Sequence, residues 1–226
     1  FTHFSEADIA DKEWAHEQHS RFSAFIDALK GAGVTFNIHH CCNSAGTLEL
    51  PDFHRDMIRP GIIQYGYDAS KEVLVAGTKI KPVMSLRCCI THLKTIYEGD
   101  CVGYGRHFTA KGPTKIATLP IGYADGYNRA LSSKIDVIVH GVRAHQVGNI
   151  CMDQCMIDVS HIPDVKVGDE VVLFGEQGSE CVSADEIADT CHTIIHEITC
   201  NINRRVPRVY VQNGKIVQRL EYLTQS

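Results

Sequence analysis

The sequence lacks the features of a membrane, secreted or nucleic-acid-binding protein. None of its apolar runs reaches the roughly 18 residues that a membrane span needs. Lysine and arginine form no cluster along the 226 residues, and the formal net charge is -5, so a nucleic-acid partner is not expected. Residues 1–5 have neither the charged nor the apolar region of a secretory signal. We therefore expect a cytoplasmic protein with no membrane partner.

The sequence also lacks the cysteine pattern of a disulfide-bonded domain, although it contains ten cysteines. The pairs Cys41-Cys42 and Cys88-Cys89 lie in apolar runs, where adjacent strand side chains point to opposite faces. We predict reduced, buried thiols. The run His39–Cys42 resembles a metal site, but at most two of its side chains could face one ion, so we predict no metal.

The hydrophobic pattern divides the chain near residue 80. About the first 70 residues alternate strand and helix, as βαβ units do. We predict strands at Phe1–Phe4, Val34–Cys42 and Met57–Tyr65, and helices over Lys12–Lys30 and from Ser44 to about Leu50. The longer helix is expected to bury one apolar face, made of Trp14, Phe22, Phe25, Ile26 and Leu29. Such strands, ending in polar residues, are typical of a (β/α) barrel.

Residues 81–226 predict a mostly antiparallel β domain, because strand patterns follow one another between Gly-Asp turns. Ser183 to Glu186 has the pattern of a capping box that opens a short helix. Val206–Val217 predicts a hairpin with Asn213-Gly214 as its turn. The predicted strands are Val83–Ile96, Lys115–Ile121, Ile135–Val139, Ala144–Val147, Cys155–Val159 and Glu170–Phe174.

Several residues have side chains or backbones suited to ligand chemistry. Ser44 and the backbone of Gly61 and Ile62 could hold an anion. Arg59 lies two residues before Gly61, at the mouth of the same predicted strand. Tyr104 lies between two glycines, which free its ring to project from a tight backbone. Structural interpretations are also open: Arg59 could be a salt-bridge partner, His3 and His40 core histidines, and Tyr104 and Tyr123 half-buried strand tyrosines.

Seven motifs resemble, in order and approximate spacing, the landmarks of the alanine racemase family. They span nearly the whole chain: Thr2-His3-Phe4, His40-x-x-Asn-Ser-Ala45, Arg59-Pro-Gly-Ile62, Gly103-Tyr-Gly105, Ile121-Gly-Tyr-Ala-Asp-Gly126, Ile150-Cys-Met-Asp-Gln154 and Arg205-Val-Pro-Arg208. One such motif would be weak, but an ordered set of this length leaves little room for chance.

The resemblance implies an α/β part followed by a β part. Residues 1–80 would be the C-terminal strands and helices of a (β/α)8 barrel that binds pyridoxal 5'-phosphate (PLP), and residues 81–226 the C-terminal β domain. It further implies a homodimer that shares active sites between subunits. The implied reaction is two-base proton transfer at Cα, which interconverts L- and D-alanine and supplies D-alanine for cell-wall peptidoglycan.

The resemblance also implies a role for each matched residue. Tyr104 would be one of the two acid/base groups, acting in the partner's site, while Met152, Tyr123 and Arg129 would meet the substrate. His3, Ser44, Arg59, Gly61 and Ile62 would bind PLP, with Arg59 keeping its ring nitrogen unprotonated. The residues expected to support these from behind are His40, Asn43 and Asp153.

Three departures from the family pattern stand out. The motif with the PLP-bonding lysine is missing, so we expect further chain upstream, including about five barrel strands. Arg204 replaces a frequent tyrosine and could bind the PLP phosphate or point away, and Asn149 replaces a frequent arginine. The changes at Arg204 and Asn149 leave serine open as the nearest alternative substrate, and the missing lysine leaves open a non-catalytic dimerisation module. A PLP carrier without racemase activity is a further class, against which the β domain with its tyrosine argues.

The missing lysine leads to a first prediction. PLP added to this chain alone should give no absorbance band of a lysine-linked cofactor, because no lysine occupies the family's position. Absorbance titration measures this, with a PLP enzyme that retains its lysine as the positive control. A saturable band in this chain would contradict the prediction.

Overall fold

The computed structural model describes residues 1–69, 72 and 79–223. The chain divides into two compact units, Phe1–Val83 and Met84–Ser226. Within the described ranges, no helix is both long and apolar enough to cross a membrane.

Helices are the regular elements of the first unit. Asn43 begins the second of them, since its side chain accepts a hydrogen bond from the Gly46 N–H at 2.9 Å. That helix ends before Pro51, which disfavours helical backbone in the residue before it. Both predicted helices are confirmed. The elements are α1 (Glu13–Gly31), α2 (Ser44–Glu49) and 3-10 helices at Pro51–Phe53 and Ile62–Tyr65.

The strands predicted for the first unit are wrong: its described residues contain no strand. The segments around Thr2, His40 and Arg59 do lie side by side, but they exchange only isolated backbone bonds, such as Thr2 N–H to His40 O at 3.3 Å and Arg59 N–H to Cys42 O at 3.0 Å. A strand requires a continuous ladder with its neighbours. The last predicted strand instead contains a 3-10 helix.

The core of the first unit is small, and α1 contributes to it differently from the prediction. Ala15 is fully buried and Phe22 packs against the core, but Phe25 and Trp14 are exposed. Trp14 instead donates its indole N–H to Ser5 Oγ at 2.8 Å. The buried core residues are Phe4, Ala7, Ala15, Cys41, Cys42, Ala45 and Leu50.

The second unit is an antiparallel β domain, as predicted. The elements of this unit are β1 (Leu86–Cys89), β2 (His92–Ile96), β3 (Cys101–Val102), β4 (Phe108–Thr109), β5 (Thr114–Leu119), β6 (Asp136–Val139), β7 (Val142–Val147), β8 (Cys155–Asp158), β9 (Glu170–Gln177), β10 (Glu180–Val182), α3 (Ala184–Thr190), α4 (Ile195–Asn201), β11 (Arg208–Gln212) and β12 (Lys215–Leu220). The main sheet has the order β1-β9-β6-β7-β8-β5-β2, and β10 pairs with β9.

The predicted strand Val83–Ile96 is two strands, because the chain changes its partner halfway. Ile90 N–H donates to Asp169 O at 3.0 Å, next to β9, whereas Thr91 N–H donates to Thr118 O at 3.0 Å, on β5. Since β1 and β2 form opposite ends of the sheet path, this short link brings the two ends together and curls the sheet.

Local signals in the second unit predicted its caps and turns well. Ser183 accepts a bond from Glu186 N–H at 3.0 Å and begins α3 as expected. The capping box itself is half formed, because the Glu186 carboxylate binds Arg143 on β7 at 2.8 and 3.0 Å. The β11–β12 hairpin is confirmed, with Asn213 and Gly214 both at positive φ in its turn.

All ten cysteines are free, but they are not uniformly buried. Cys89, Cys181 and Cys200 are exposed. Cys41 and Cys42 were expected to face opposite ways, yet both thiols donate to Phe53 O, at 3.2 and 3.3 Å, because their segment is not a strand. Burial raises the pKa of the Cys42 thiol to about 12, so it stays protonated.

The sheet should carry most of the stability of the second unit. Ile157 on β8 is fully buried, so Ile157→Ala should lower the free energy of unfolding by about 2–5 kcal/mol through lost burial and a cavity. Ile216→Ala is the matched control on the exposed hairpin and should change it by less than about 0.5 kcal/mol. Urea denaturation followed by far-ultraviolet circular dichroism compares them, and equal losses would contradict the fold.

Candidate active site

Tyr104 lies at the tip of a two-stranded ribbon in the second unit. The ribbon consists of β3 and β4, and its tip is a 3-10 turn that begins at Tyr104. Gly103 and Gly105 flank the tyrosine with φ values of 74° and 76°, which glycine adopts without strain. Tyr104 is 77% exposed, so its ring projects outward as the two glycines predicted.

A surface cavity of about 510 Å³ brings Tyr104 together with three other predicted residues, Tyr123, Met152 and Asp153. The phenol of Tyr104 is a proton donor and acceptor, and the cavity also contains a second phenol and a carboxylate. Such a set can bind a small polar molecule and exchange a proton with it. The remaining lining residues are Cys151, Gln154 and Met156.

Gly122 lets two walls of this cavity approach closely enough for backbone hydrogen bonds between them. Next to it, Tyr123 N–H donates to Cys151 O at 3.1 Å, and Ala124 N–H donates to Met152 O at 3.0 Å. A Cβ at Gly122 would lie 2.1 Å from Cys151 O and 2.5 Å from Met152 O. Only glycine therefore allows the turn with Tyr123 and the turn with Met152 to meet.

Arg205 ties the same two turns together by charge. Its Nε donates to Asp125 Oδ1 at 2.7 Å, and its Nη2 forms an ion pair with Asp153. The other oxygen of the buried Asp125 accepts the Gly122 N–H at 2.9 Å. The hydrogen bonds with Asp153 and then Asp125 raise the pKa of the Arg205 guanidinium. The Asp153 carboxylate is thereby held in place beside Met152.

Two predicted residues of the second unit lie elsewhere. Arg129 is exposed at the start of a short 3-10 helix and is not among the residues that line the cavity. Arg204 places its guanidinium over the ring of Tyr222, 5.7 Å from the ring centre.

In the first unit, Arg59 gathers a second group of predicted residues. Its Nη2 donates to Thr2 O at 3.0 Å, to Cys41 O at 3.2 Å and to His3 Nδ1 at 3.3 Å, and its Nη1 contacts His40 Nδ1. Because arginine only donates, the Nδ1 atom of His40 must accept, which requires a neutral ring. Desolvation, followed by the charge of Arg59, lowers the pKa of His40 and favours that form.

The Ser44 hydroxyl, supported by Gly61, and the start of the following 3-10 helix form a neighbouring group of hydrogen-bond donors. Gly61 N–H donates to Ser44 Oγ at 2.8 Å, so the hydroxyl hydrogen of Ser44 remains available to an anion. Ile62 starts a 3-10 helix, whose first N–H groups have no acceptor within the helix. Asn43 fixes Ser44 by capping α2. These donors suit a phosphate, and the nearby guanidinium of Arg59 suits a ring nitrogen, so this group fits PLP.

The sequence prediction did not identify the residues that hold the site together. Arg205 and Asp125 both occur in the family-like motifs, but their ion pair joins residues 80 positions apart, which a single sequence cannot reveal. The same holds for Asn149, whose Nδ2 donates to Tyr104 O at 2.8 Å. Gly122 is part of the motif Ile121–Gly126, and glycine's preference for turns was the one sequence signal that could have pointed to its role.

Comparisons with known protein families account for both units. The model described as alanine racemase, N-terminal domain, matches residues 1–69, and the model described as alanine racemase, C-terminal domain, matches residues 83–210. Alanine racemase 1 of Clostridium acetobutylicum is 45% identical over 223 residues, and the alanine racemase of Clostridium perfringens is 46% identical over 223 residues. Each match covers 99% of this chain and 58% of the relative.

Solved structures agree with these matches. The alanine racemase of Clostridium difficile in complex with cycloserine is 42% identical, with a TM-score of 0.91 over 99% of this chain and 58% of that one. The alanine racemase of Bacillus anthracis with bound L-Ala-P is 37% identical, with a TM-score of 0.93 over 98% of this chain and 57% of that one. The chain thus spans a little over half of the length of these proteins.

Gly122 provides a test of the cavity. Gly122→Ala should lower the free energy of unfolding by about 1–3 kcal/mol, because the new methyl group pushes the Tyr123 and Met152 turns apart. Urea denaturation measures the loss, and near-ultraviolet circular dichroism of tyrosine reports the altered cavity.

Gly112→Ala is the matched control, because a Cβ there meets nothing within 4 Å. If both variants behaved alike, the close approach at Gly122 would be refuted.

Proposed function

Because the chain belongs to the alanine racemase family, we propose that it takes part in the PLP-dependent interconversion of L- and D-alanine. The observation that carries the proposal is the cavity in which Tyr104 stands exposed beside Met152 and Tyr123. The chain spans 58% of the length of its relatives, so the proposed activity is that of a longer protein. Membership of this family also agrees with the α/β plus β fold that the motifs indicated.

We propose that Arg59, His40, His3, Ser44 and the Gly61–Ile62 backbone hold PLP. When bound, PLP supplies a conjugated ring that stabilises negative charge at the substrate Cα. The Ser44 hydroxyl and the free N–H groups at the 3-10 helix start would bind its phosphate. Arg59 would face the ring nitrogen and keep it unprotonated, because a guanidinium has no proton to give at neutral pH.

Tyr104 is the proposed acid/base group for one face of the substrate. Its phenol oxygen would take the Cα proton from L-alanine and return one in the reverse direction. The opposite face needs a second base, for which the family uses a lysine, and the motifs in this chain contain no counterpart of it. Tyr104 is proposed to act in the site of a partner subunit, so that a homodimer shares its residues between two sites.

Alanine is the favoured substrate. The relatives named above are alanine racemases, and two related structures are described with cycloserine and with L-Ala-P, both amino-acid-like ligands. Serine and a PLP carrier without racemase activity are therefore not favoured, the latter because the C-terminal family model matches residues 83–210. The enzyme is proposed to act in the cytoplasm, where it would supply D-alanine for the synthesis of cell-wall peptidoglycan.

Exchange of the Cα hydrogen tests the role of Tyr104. In the racemase polypeptide that carries this sequence, Tyr104→Phe should slow loss of the Cα hydrogen of L-alanine into D2O by about 10²–10⁴-fold, since a general base is removed. D-Alanine should exchange much faster than L-alanine, because its base is retained. Proton NMR follows both reactions, and cofactor absorbance should show unchanged PLP binding.

Tyr97→Phe is the matched control, since Tyr97 is also an exposed tyrosine of the second unit but lies outside the cavity. It should leave both exchange rates at the parent values. Full L-alanine exchange in Tyr104→Phe would refute the assignment of Tyr104.

A further inference from the structure

We propose that Asn149 is a positioning residue for Tyr104: its side-chain amide fixes the backbone of the tyrosine loop and so aims the phenol. The contact that carries this inference is the hydrogen bond from Asn149 Nδ2 to Tyr104 O, 2.8 Å long. The inference rests on the proposed function, because it concerns how the acid/base tyrosine is held.

The Tyr104 loop needs an external anchor. Its two flanking glycines allow a wide range of backbone conformations, and the exposed ring receives little packing. Within the turn, Arg106 N–H reaches Gly103 O only at 3.4 Å, which is a weak hydrogen bond. A ring on such a loop would sample many directions unless another part of the domain held the backbone.

Asn149 stands on a segment that is itself well fixed. The preceding residue, Gly148, is buried, and a Cβ there would lie 2.8 Å from Val102 O, so this segment runs directly against the ribbon that carries Tyr104. On the other side, Ile150 N–H donates to Ser132 Oγ at 3.0 Å. The Asn149 amide is therefore presented from a rigid base.

The ribbon is also fixed at its own foot. Val102 on β3 is part of a buried cluster, and Phe108 on β4 packs against that cluster. The residues between these two anchors form the turn that carries Tyr104. The amide of Asn149 reaches the carbonyl of Tyr104 within this interval, where one added bond restricts the loop most.

The chemistry of this contact depends on an N–H donor. Asparagine donates through its NH₂ group, whereas an ionised aspartate of the same shape only accepts. In Asn149→Asp, a carboxylate oxygen would face the Tyr104 carbonyl oxygen, so the bond would be replaced by repulsion. The substitution keeps the size of the side chain and changes only the donor and the charge.

The experiment uses the racemase polypeptide that carries this sequence. Asn149→Asp should slow the loss of the L-alanine Cα hydrogen into D2O about tenfold, as expected for one lost hydrogen bond and a displaced tyrosine. Exchange of D-alanine should be unchanged. Amide hydrogen exchange, read by mass spectrometry, should be faster in peptides that cover residues 103–106.

A double-mutant cycle separates positioning from general damage. If Asn149 acts through Tyr104, then Asn149→Asp should have no further effect on L-alanine exchange in the Tyr104→Phe background. Asn213→Asp is the matched control, because Asn213 lies in the β11–β12 hairpin turn, far from Tyr104 in the sequence and outside the cavity. It should match the parent in every measurement.

Additive effects in the cycle, equal slowing of both enantiomers, or unchanged exchange at residues 103–106 would overturn the positioning role. If Tyr104→Phe retained full L-alanine exchange, the proposed function would fail instead. Amide exchange would then decide separately about Asn149: a faster loop in Asn149→Asp would support the anchor, and an unchanged loop would overturn it.

Discussion

The close approach of two turns at Gly122 is the constraint on which the cavity of the second unit depends. The turns carry Tyr123 on one side and Met152 on the other, and backbone hydrogen bonds join them because Gly122 has no side chain to keep them apart. Arg205 reinforces the same junction through two carboxylates. Steric fit and charge thus act at one point, which places Tyr123, Met152 and Asp153 in the cavity.

Arg59 has the corresponding role in the first unit. One guanidinium binds two backbone carbonyls and two imidazole rings from two other segments of the chain, residues 2–3 and 40–41, and so joins three segments. Those segments share few other backbone bonds, and no described residue among them is in a strand. The polar residues that suit a cofactor therefore also hold together the extended segments that present them.

Features that depend on neighbouring residues could be predicted from the sequence, and contacts between residues far apart in the sequence could not. Strands β5 to β9 of the second unit, the cap at Ser183 and the turn at Asn213-Gly214 were predicted closely, whereas β1 and β2 were merged into one strand and β3, β4 and β10 were not predicted. The strands predicted for the first unit were wrong, because a ladder depends on partners far along the chain. The candidate residues could be named from motifs, but the bonds of Arg205 and Asn149 join positions 45 to 80 residues apart and needed coordinates.

The position of Trp14 gives the molecule a built-in optical division. Trp14 is the single tryptophan of the chain and lies on α1 in the first unit, with Arg21 over its ring. Tyr104 and Tyr123 belong to the second unit. Light absorbed at the red edge, beyond the tyrosine band, therefore excites a reporter of the first unit alone. Emission from that indole therefore reports on the first unit, whereas the tyrosine signal combines both units because Tyr65 and Tyr67 lie in the first.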